Sequence, residues 1–119
     1  MQLPSEGELL RIFIGENDKR GGRPLYELIV EEARRRGMAG ATVLRGVLGF
    51  GAQSRIHTAK ILRLSEDLPM VVEIVDEPAK IAAFIPDLDK MMSDGLVTLE
   101  KARVIVYRHG AAKPTPISR

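Results

Sequence analysis

The stretch GVLGFGAQSRIHTAKILRL, residues 46–64, decides the fold, because it is a long connection between two apolar runs that resemble neighbouring strands. Glycines at positions 46, 49 and 51 let the backbone bend and approach a ligand closely, and exposed N–H groups in such a turn form a concavity that suits anions. The same three glycines are also typical of a twisted hairpin that only turns the chain. We therefore expect a ligand-binding site in this stretch. The alternative is a hairpin that binds no ligand.

Four potential cations lie within nine residues of this stretch, at Arg55, His57, Lys60 and Arg63. Such a group suits a phosphate or an acidic protein surface, and Gln53 beside it can bind an adenine edge or a carboxylate. A solvated basic loop is the alternative that needs no ligand. Because His109 is the only other histidine, we expect no dedicated metal site.

Outward from this stretch, the apolar periodicity predicts four strands and two helices. The predicted strands are 8–14, 41–48, 70–75 and a last strand within 96–107 that is clearest over 102–107. The predicted helices are 24–36, which Gly37 terminates, and 77–92, in which Pro86 should produce a kink or a break. Residues 15–23 are predicted to be a polar loop.

The order strand, helix, strand, strand, helix, strand predicts an α+β fold. It is a ferredoxin-like βαββαβ sandwich, with one antiparallel sheet that carries both helices on a single face. Several strands are apolar on both alternating faces, so the face without helices is more hydrophobic than a monomer tolerates. We therefore expect a cyclic oligomer. One domain is expected over residues 1–109, followed by a disordered tail over 110–119.

Composition narrows the class of protein further. The 119 residues carry a formal net charge of +2 and only 4% aromatic side chains, which disfavours a nucleic-acid-binding protein. The chain has no cysteine, and its apolar runs are all well short of the ~20 residues that a membrane span needs. We expect a cytoplasmic protein that does not insert into the membrane.

The run GFGAQ at residues 49–53 resembles the start of the long loop of PII signalling proteins. Their second strand ends in a Gly-Phe-Gly-x-Gln run, and their loop continues to a Gly/His-Thr segment that His57-Thr58 matches. Four blocks resemble more closely the PII-like family known as domain of unknown function 190. They are RPLYE at 23–27, GATVLRG at 40–46, SRIHT at 54–58 and GLVTL at 95–99. The resemblance to PII-like proteins covers residues 8–108.

This resemblance implies a homotrimer with ligand clefts between neighbouring subunits and a loop over residues 50–66 that docks on a target protein. PII proteins bind adenine nucleotides and 2-oxoglutarate, so an adenine nucleotide is the implied ligand, and no cofactor is required. The candidate ligand-binding residues are Gly49, Phe50, Gly51, Gln53, Arg55, His57, Lys60, Asp94, Gly95, Arg103 and Arg108.

The sequence departs from the PII pattern at two places that matter for phosphate binding. After Asp94-Gly95, PII proteins have a phosphate-contacting lysine two positions beyond the aspartate, whereas this chain has Leu96. PII proteins also have two alternating arginines near the end of the chain, and the matching positions here are about Val104 and Val106.

The leading hypothesis is a non-enzymatic PII-like regulatory protein that binds a small anionic metabolite and acts on a transporter, channel or enzyme through the 50–66 loop. An alternative is an interaction module that needs no small ligand and binds a membrane transporter or channel directly. Members of the resembling family are often encoded near fluoride-exporter genes, which makes such a channel a candidate partner. A further alternative is an acylphosphatase-like enzyme, for which Arg20 and Arg23 lie between the first strand and the first helix.

Overall fold

The computed structural model describes residues 6–51 and 67–108. Its elements, in chain order, are β1 (Glu6–Gly15), β2 (Lys19–Arg20), β3 (Arg23–Pro24), α1 (Leu25–Arg35), β4 (Thr42–Arg45), β5 (Pro69–Asp76), α2 (Pro78–Met91) and β6 (Leu96–Arg103). β4, β5, β1 and β6 form one antiparallel sheet in that order. β2 and β3 form a short hairpin with two residues in each strand, which spans most of the predicted 15–23 loop and extends to Pro24. The predicted ferredoxin-like α+β fold is confirmed.

The core lies between the two helices and one face of the sheet. Alternate residues of β1 and β5 point into it, and every one of them is at most 5% exposed: Leu10, Ile12, Ile14, Met70, Val72 and Ile74. The helices cover these residues with Leu25, Ile29, Ala33, Ile81, Phe84 and Leu88. Full burial of an aliphatic side chain of this size stabilises a fold by roughly 1.5–3 kcal/mol, so this aliphatic layer is the main source of stability.

The helices begin and end where local chemistry permits. Pro24 and Pro78 stand at the two helix starts, where a missing N–H is harmless. α1 ends in a Schellman motif: Gly37 adopts φ +70° and donates to the carbonyl of Arg34, and Met38 donates to that of Ala33. Of the kink or break expected at Pro86, the break does not occur, because α2 runs through this residue. Pro86 and Ala82 are both exposed, so water can bind the carbonyl that the proline leaves unpaired.

Two strand predictions need correction. The last strand is Leu96–Arg103, whereas the clearest prediction was 102–107. β6 pairs only with β1, and that ladder ends at Glu6 opposite Arg103, so the β-branched run that follows has no partner strand among the described residues. β4 is also shorter than the predicted 41–48. Its ladder ends one step beyond Arg45, where Gly46 donates to the carbonyl of Pro69, the first residue of β5.

The face of the sheet without helices carries rows of aligned side chains that cross the strands. One row is apolar across all four strands, from Leu44 through Val71 and Phe13 to Leu96. The next row is polar, and Arg11 at its centre bonds Glu73 at 2.9 Å and reaches Glu100 at 3.3 Å. The hydrogen bond that Arg11 donates to Glu73 is the main reason that the pKa of Arg11 is raised.

Candidate functional site

The glycine-rich segment after β4 packs tightly against the start of β5. A Cβ atom on Gly46 would lie 2.7 Å from Cγ of Pro69, and the N–H of Gly46 donates to the carbonyl of Pro69 at 2.8 Å. Gly49 adopts φ +154°, and its Cβ would lie 3.1 Å from the same proline carbon. The contact with Pro69 therefore explains two of the three glycines as parts of a close-packed turn.

The base of the long connection is held by the turn that follows β1. Glu16 forms an ion pair with Arg45 at 3.2 Å and donates its N–H to the carbonyl of Leu68 at 2.8 Å. The N–H of Asn17 donates to the carboxylate of Asp67 at 3.0 Å. One turn thus contacts both ends of the connection. Glu16 could not be identified from sequence, because no local pattern indicates which distant residues a turn will contact.

Asp94 and Gly95 lie between α2 and β6, at the same end of the sheet. Gly95 adopts φ +128°, and a Cβ there would lie 2.8 Å from the backbone oxygen of Phe13 and 2.6 Å from Cε of Met92. Glycine is therefore required at this position by both its backbone conformation and its surroundings.

A cavity of about 260 Å³ opens beside this turn, between α2 and β6. Its apolar wall consists of Ile85, Leu88, Met92 and Val97. Its polar rim consists of Asp89, Ser93, Asp94 and Gly95. Within the described part of the chain, the carboxylates of Asp89 and Asp94 have no ion pair. The cavity therefore suits an apolar group and would repel an isolated phosphate. The sequence did not reveal it, because it depends on how α2 packs beside β6.

The predicted site residues that the structure describes do not come together within one chain. Gly49, Phe50 and Gly51 follow β4 at one edge of the sheet, and Asp94 and Gly95 precede β6 at the other edge, about 14 Å away across three strand spacings. Arg103 ends β6, some 25 Å from Gly95 along an extended strand.

Arg108 follows the segment that leaves β6 and crosses the far end of the sheet. A Cβ on Gly7 there would lie 3.1 Å from Cγ2 of Val104, and the hydroxyl of Tyr107 donates to the carbonyl of Ala39 at 3.2 Å. Arg103 and Arg108 are therefore not near the glycine turn of their own chain. Gln53, Arg55, His57, Lys60 and Arg63 lie outside the described residues, as does the predicted tail 110–119.

Arg23, one of the two arginines considered for an acylphosphatase-like site, is paired with carboxylates. Arg23 bonds Glu31 at 3.0 Å and also pairs with Glu27, along the exposed side of α1. The hydrogen bond from Arg23 lowers the pKa of the Glu31 carboxyl below its ordinary value, and the same bond raises the pKa of Arg23. The guanidinium of Arg23 is therefore already paired with carboxylates of its own chain. Among residues 6–51 and 67–108, no group of three or more acidic or histidine side chains is placed to hold a metal ion.

The architecture and the known structures that share it define the class of protein. CPII from Thiomonas intermedia K12, in a structure bound to ADP and bicarbonate, is 14% identical with a TM-score of 0.59, over 83% of this chain and 88% of that one. A structure of the same nitrogen regulatory PII-like protein bound to ADP, AMP and bicarbonate gives a TM-score of 0.60, with the same identity and coverage. The fold is that of PII-like proteins.

Sequence comparison places the chain within one family of that class. Residues 7–104 match the DUF190 family, described as "Uncharacterized ACR, COG1993", and the chain belongs to it. A UPF0166 protein of Aquifex aeolicus (strain VF5) is 43% identical over 98 residues, 82% of this chain and 92% of that protein. UPF0166 protein MJ1524 of Methanocaldococcus jannaschii is 32% identical over 100 residues, 83% of this chain and 92% of that protein. The resemblance drawn from the four sequence blocks is confirmed.

Proposed function

We propose that the chain is a non-enzymatic, PII-like regulatory protein that forms a cyclic homotrimer and binds a small anionic metabolite between its subunits. One observation carries the proposal. The two halves of the predicted site, Gly49–Gly51 and Asp94-Gly95, lie at the same end of the sheet but at its opposite edges. A head-to-tail ring brings the β4 edge of one copy to the β6 edge of the next, and this joins the halves.

The open face of the sheet supports self-association. The row from Leu44 to Leu96 is apolar across four strands, and its two end residues are 48% and 57% exposed. The polar row beside it is already paired within the chain, because Arg11 contacts two glutamates. Burial of this face against other copies would remove apolar surface from water and leave few charges unpaired.

An adenine nucleotide is the leading candidate ligand. CPII, which shares the fold, has been solved with ADP and with AMP. In this chain Leu96, Val104 and Val106 replace the basic residues of the PII pattern, so we assign phosphate binding to Arg55, His57 and Lys60 and base or carboxylate recognition to Gln53. The 50–66 loop would then signal to a target protein whether the ligand is bound.

Isothermal titration with ATP, ADP, AMP and cyclic nucleotides tests the ligand. We expect saturable binding to at least one of them, and a weaker affinity in Gln53→Ala. Arg34→Ala, an exposed change on α1 and away from both halves of the proposed site, controls for a general effect of substitution. The absence of heat with every nucleotide would reject the nucleotide proposal, and a monomeric mass by light scattering would reject the trimer.

A second candidate is an interaction module that binds a membrane transporter or channel, such as a fluoride exporter, without a small ligand. The observation that favours it is the replacement of the PII basic residues by Leu96, Val104 and Val106. A pull-down in nucleotide-free buffer should then retain a membrane protein, and deletion of residues 52–62 should release it. Retention that requires added nucleotide would favour the first candidate.

A further inference from the structure

We propose that the apolar finger of one copy, defined as Val47, Leu48 and Phe50, inserts into the α2–β6 cavity of the next copy. This contact would join the subunits head to tail at the loop end of the sheet. The inference rests on the cyclic assembly of the proposed function and identifies the side chains that close it. It also gives Phe50 a structural role beside the ligand site.

The finger exposes an unusual amount of apolar surface for so short a segment. Val47 is 88% exposed, and Leu48 and Phe50 are each 66% exposed. The backbone before them is fixed, because the turn packs on Pro69 and Gly46 bonds its carbonyl. Contiguous exposed apolar side chains on a fixed base are typical of an interaction surface.

The cavity matches the finger in size and chemistry. A cavity of about 150 Å³ is enough for a benzene ring, so the space of about 260 Å³ beside Val97 can take a phenyl ring with part of an aliphatic neighbour. Its wall is aliphatic and thioether, which is the environment that an aromatic ring prefers over water.

The positions of the finger and the cavity, and the charges beside them, also favour the finger as the occupant of the cavity. β4 ends and β6 begins at the same end of the sheet. In a ring that keeps all copies in the same orientation, the finger of one copy and the cavity of the next therefore lie at the same height along the ring axis. Arg45 beside the finger pairs with Glu16, and its side chain is still 58% exposed, so its guanidinium can contact a second carboxylate. Within the described residues, Asp94 on the cavity rim has no ion pair. The Arg45 guanidinium of one copy and the Asp94 carboxylate of the next would therefore face each other where the two copies meet.

Cross-linking tests the contact directly, because the chain contains no cysteine. Gly51→Cys beside the finger is combined with Ser93→Cys on the cavity rim, and a short bis-maleimide is added. The matched control combines Gly51→Cys with Ile105→Cys, an exposed residue beyond the far end of β6. We expect at least tenfold more covalent dimer and trimer from the first pair. Equal yields from the two pairs, with a trimer present by light scattering, would overturn the inference and leave the trimer intact.

A mixing experiment tests the head-to-tail direction. Phe50→Asp disrupts the finger but keeps the cavity intact, and Val97→Asp disrupts the cavity but keeps the finger intact. Both positions are partly exposed, so each variant should still fold as a monomer. Each variant alone should be monomeric, and an equimolar mixture should form a one-to-one dimer that cannot close. Trimers from either variant alone would contradict the inference, whereas a monomeric parent protein would contradict the proposed function. If either variant fails to fold by circular dichroism, the cysteine pairs decide.

Discussion

Replacement of Gly95 by alanine should destabilise the protein strongly, because two separate restrictions act on this residue. Its φ of +128° is a conformation that residues with a side chain rarely adopt, at a cost of about 1–3 kcal/mol. The added Cβ would also lie 2.8 Å from the carbonyl oxygen of Phe13, in a central strand that cannot yield easily. Relief of such overpacking costs about 1–3 kcal/mol more. The expected loss in the free energy of unfolding is about 4 kcal/mol.

Gly21→Ala is the matched control, because it tests backbone conformation without crowding. Gly21 adopts φ +61° in the β2–β3 hairpin, and a Cβ there would have no heavy atom within 4 Å. The expected loss is about 1 kcal/mol. Urea denaturation at a fixed protein concentration measures both variants, since association would otherwise shift the midpoint. Equal losses for the two variants would refute the reasoning that contact with Phe13 makes Gly95 indispensable.

Three further substitutions test the core and the surface ion pairs. Phe84→Ala should lower the free energy of unfolding by about 3–5 kcal/mol, because the ring is fully buried between the helices and the sheet, and chemical denaturation measures this loss. Asp76→Ala should lower it by about 2–4 kcal/mol in the same assay, because the buried carboxylate accepts bonds from two backbone N–H groups that would lose their partners. Carboxyl NMR should report a Glu31 pKa below 4.5 that returns toward 4.5 in Arg23→Gln. Because the pKa is lowered in the folded state, any stabilisation from this pair is present above pH 4.5 and is lost as the pH falls through the folded pKa, and salt weakens it. An unchanged Glu31 pKa in Arg23→Gln would contradict the pairing.

Most of the fold could be predicted because its longest elements have a clear periodicity. β1, α1, β5 and α2 lie within two residues of their predicted bounds, since alternate or helical spacing of apolar residues directly reflects which face is buried. The last strand was misplaced for a physical reason. Residues 104–107 have a high intrinsic preference for extended structure, but a strand also needs a partner, and among the described residues the ladder with β1 offers none beyond Arg103.

The site could be predicted only in part, because its geometry depends on contacts between distant segments. The glycine turn was found from sequence, but the role of Pro69 in fixing it depends on the β4–β5 pairing. The cavity was hidden because Ile85 and Met92 have the same pattern as core residues, and only the packing of α2 leaves them facing an open space. The PII resemblance also grouped Arg103 with Asp94, although the length of β6 separates them within one chain.

The charges at the loop end of the sheet restrict where a phosphate could bind. Asp18, Asp67 and Asp94 all lie at this end, and Arg45 is already paired with Glu16. An anionic ligand that approached these carboxylates alone would be repelled. If the proposed nucleotide binds at the seam between copies, its phosphates must therefore meet the basic residues of the 50–66 loop rather than the turn before β6. This arrangement reverses the PII pattern, in which that turn supplies a lysine. The 50–66 loop would then both bind the phosphates of the ligand and contact the target protein.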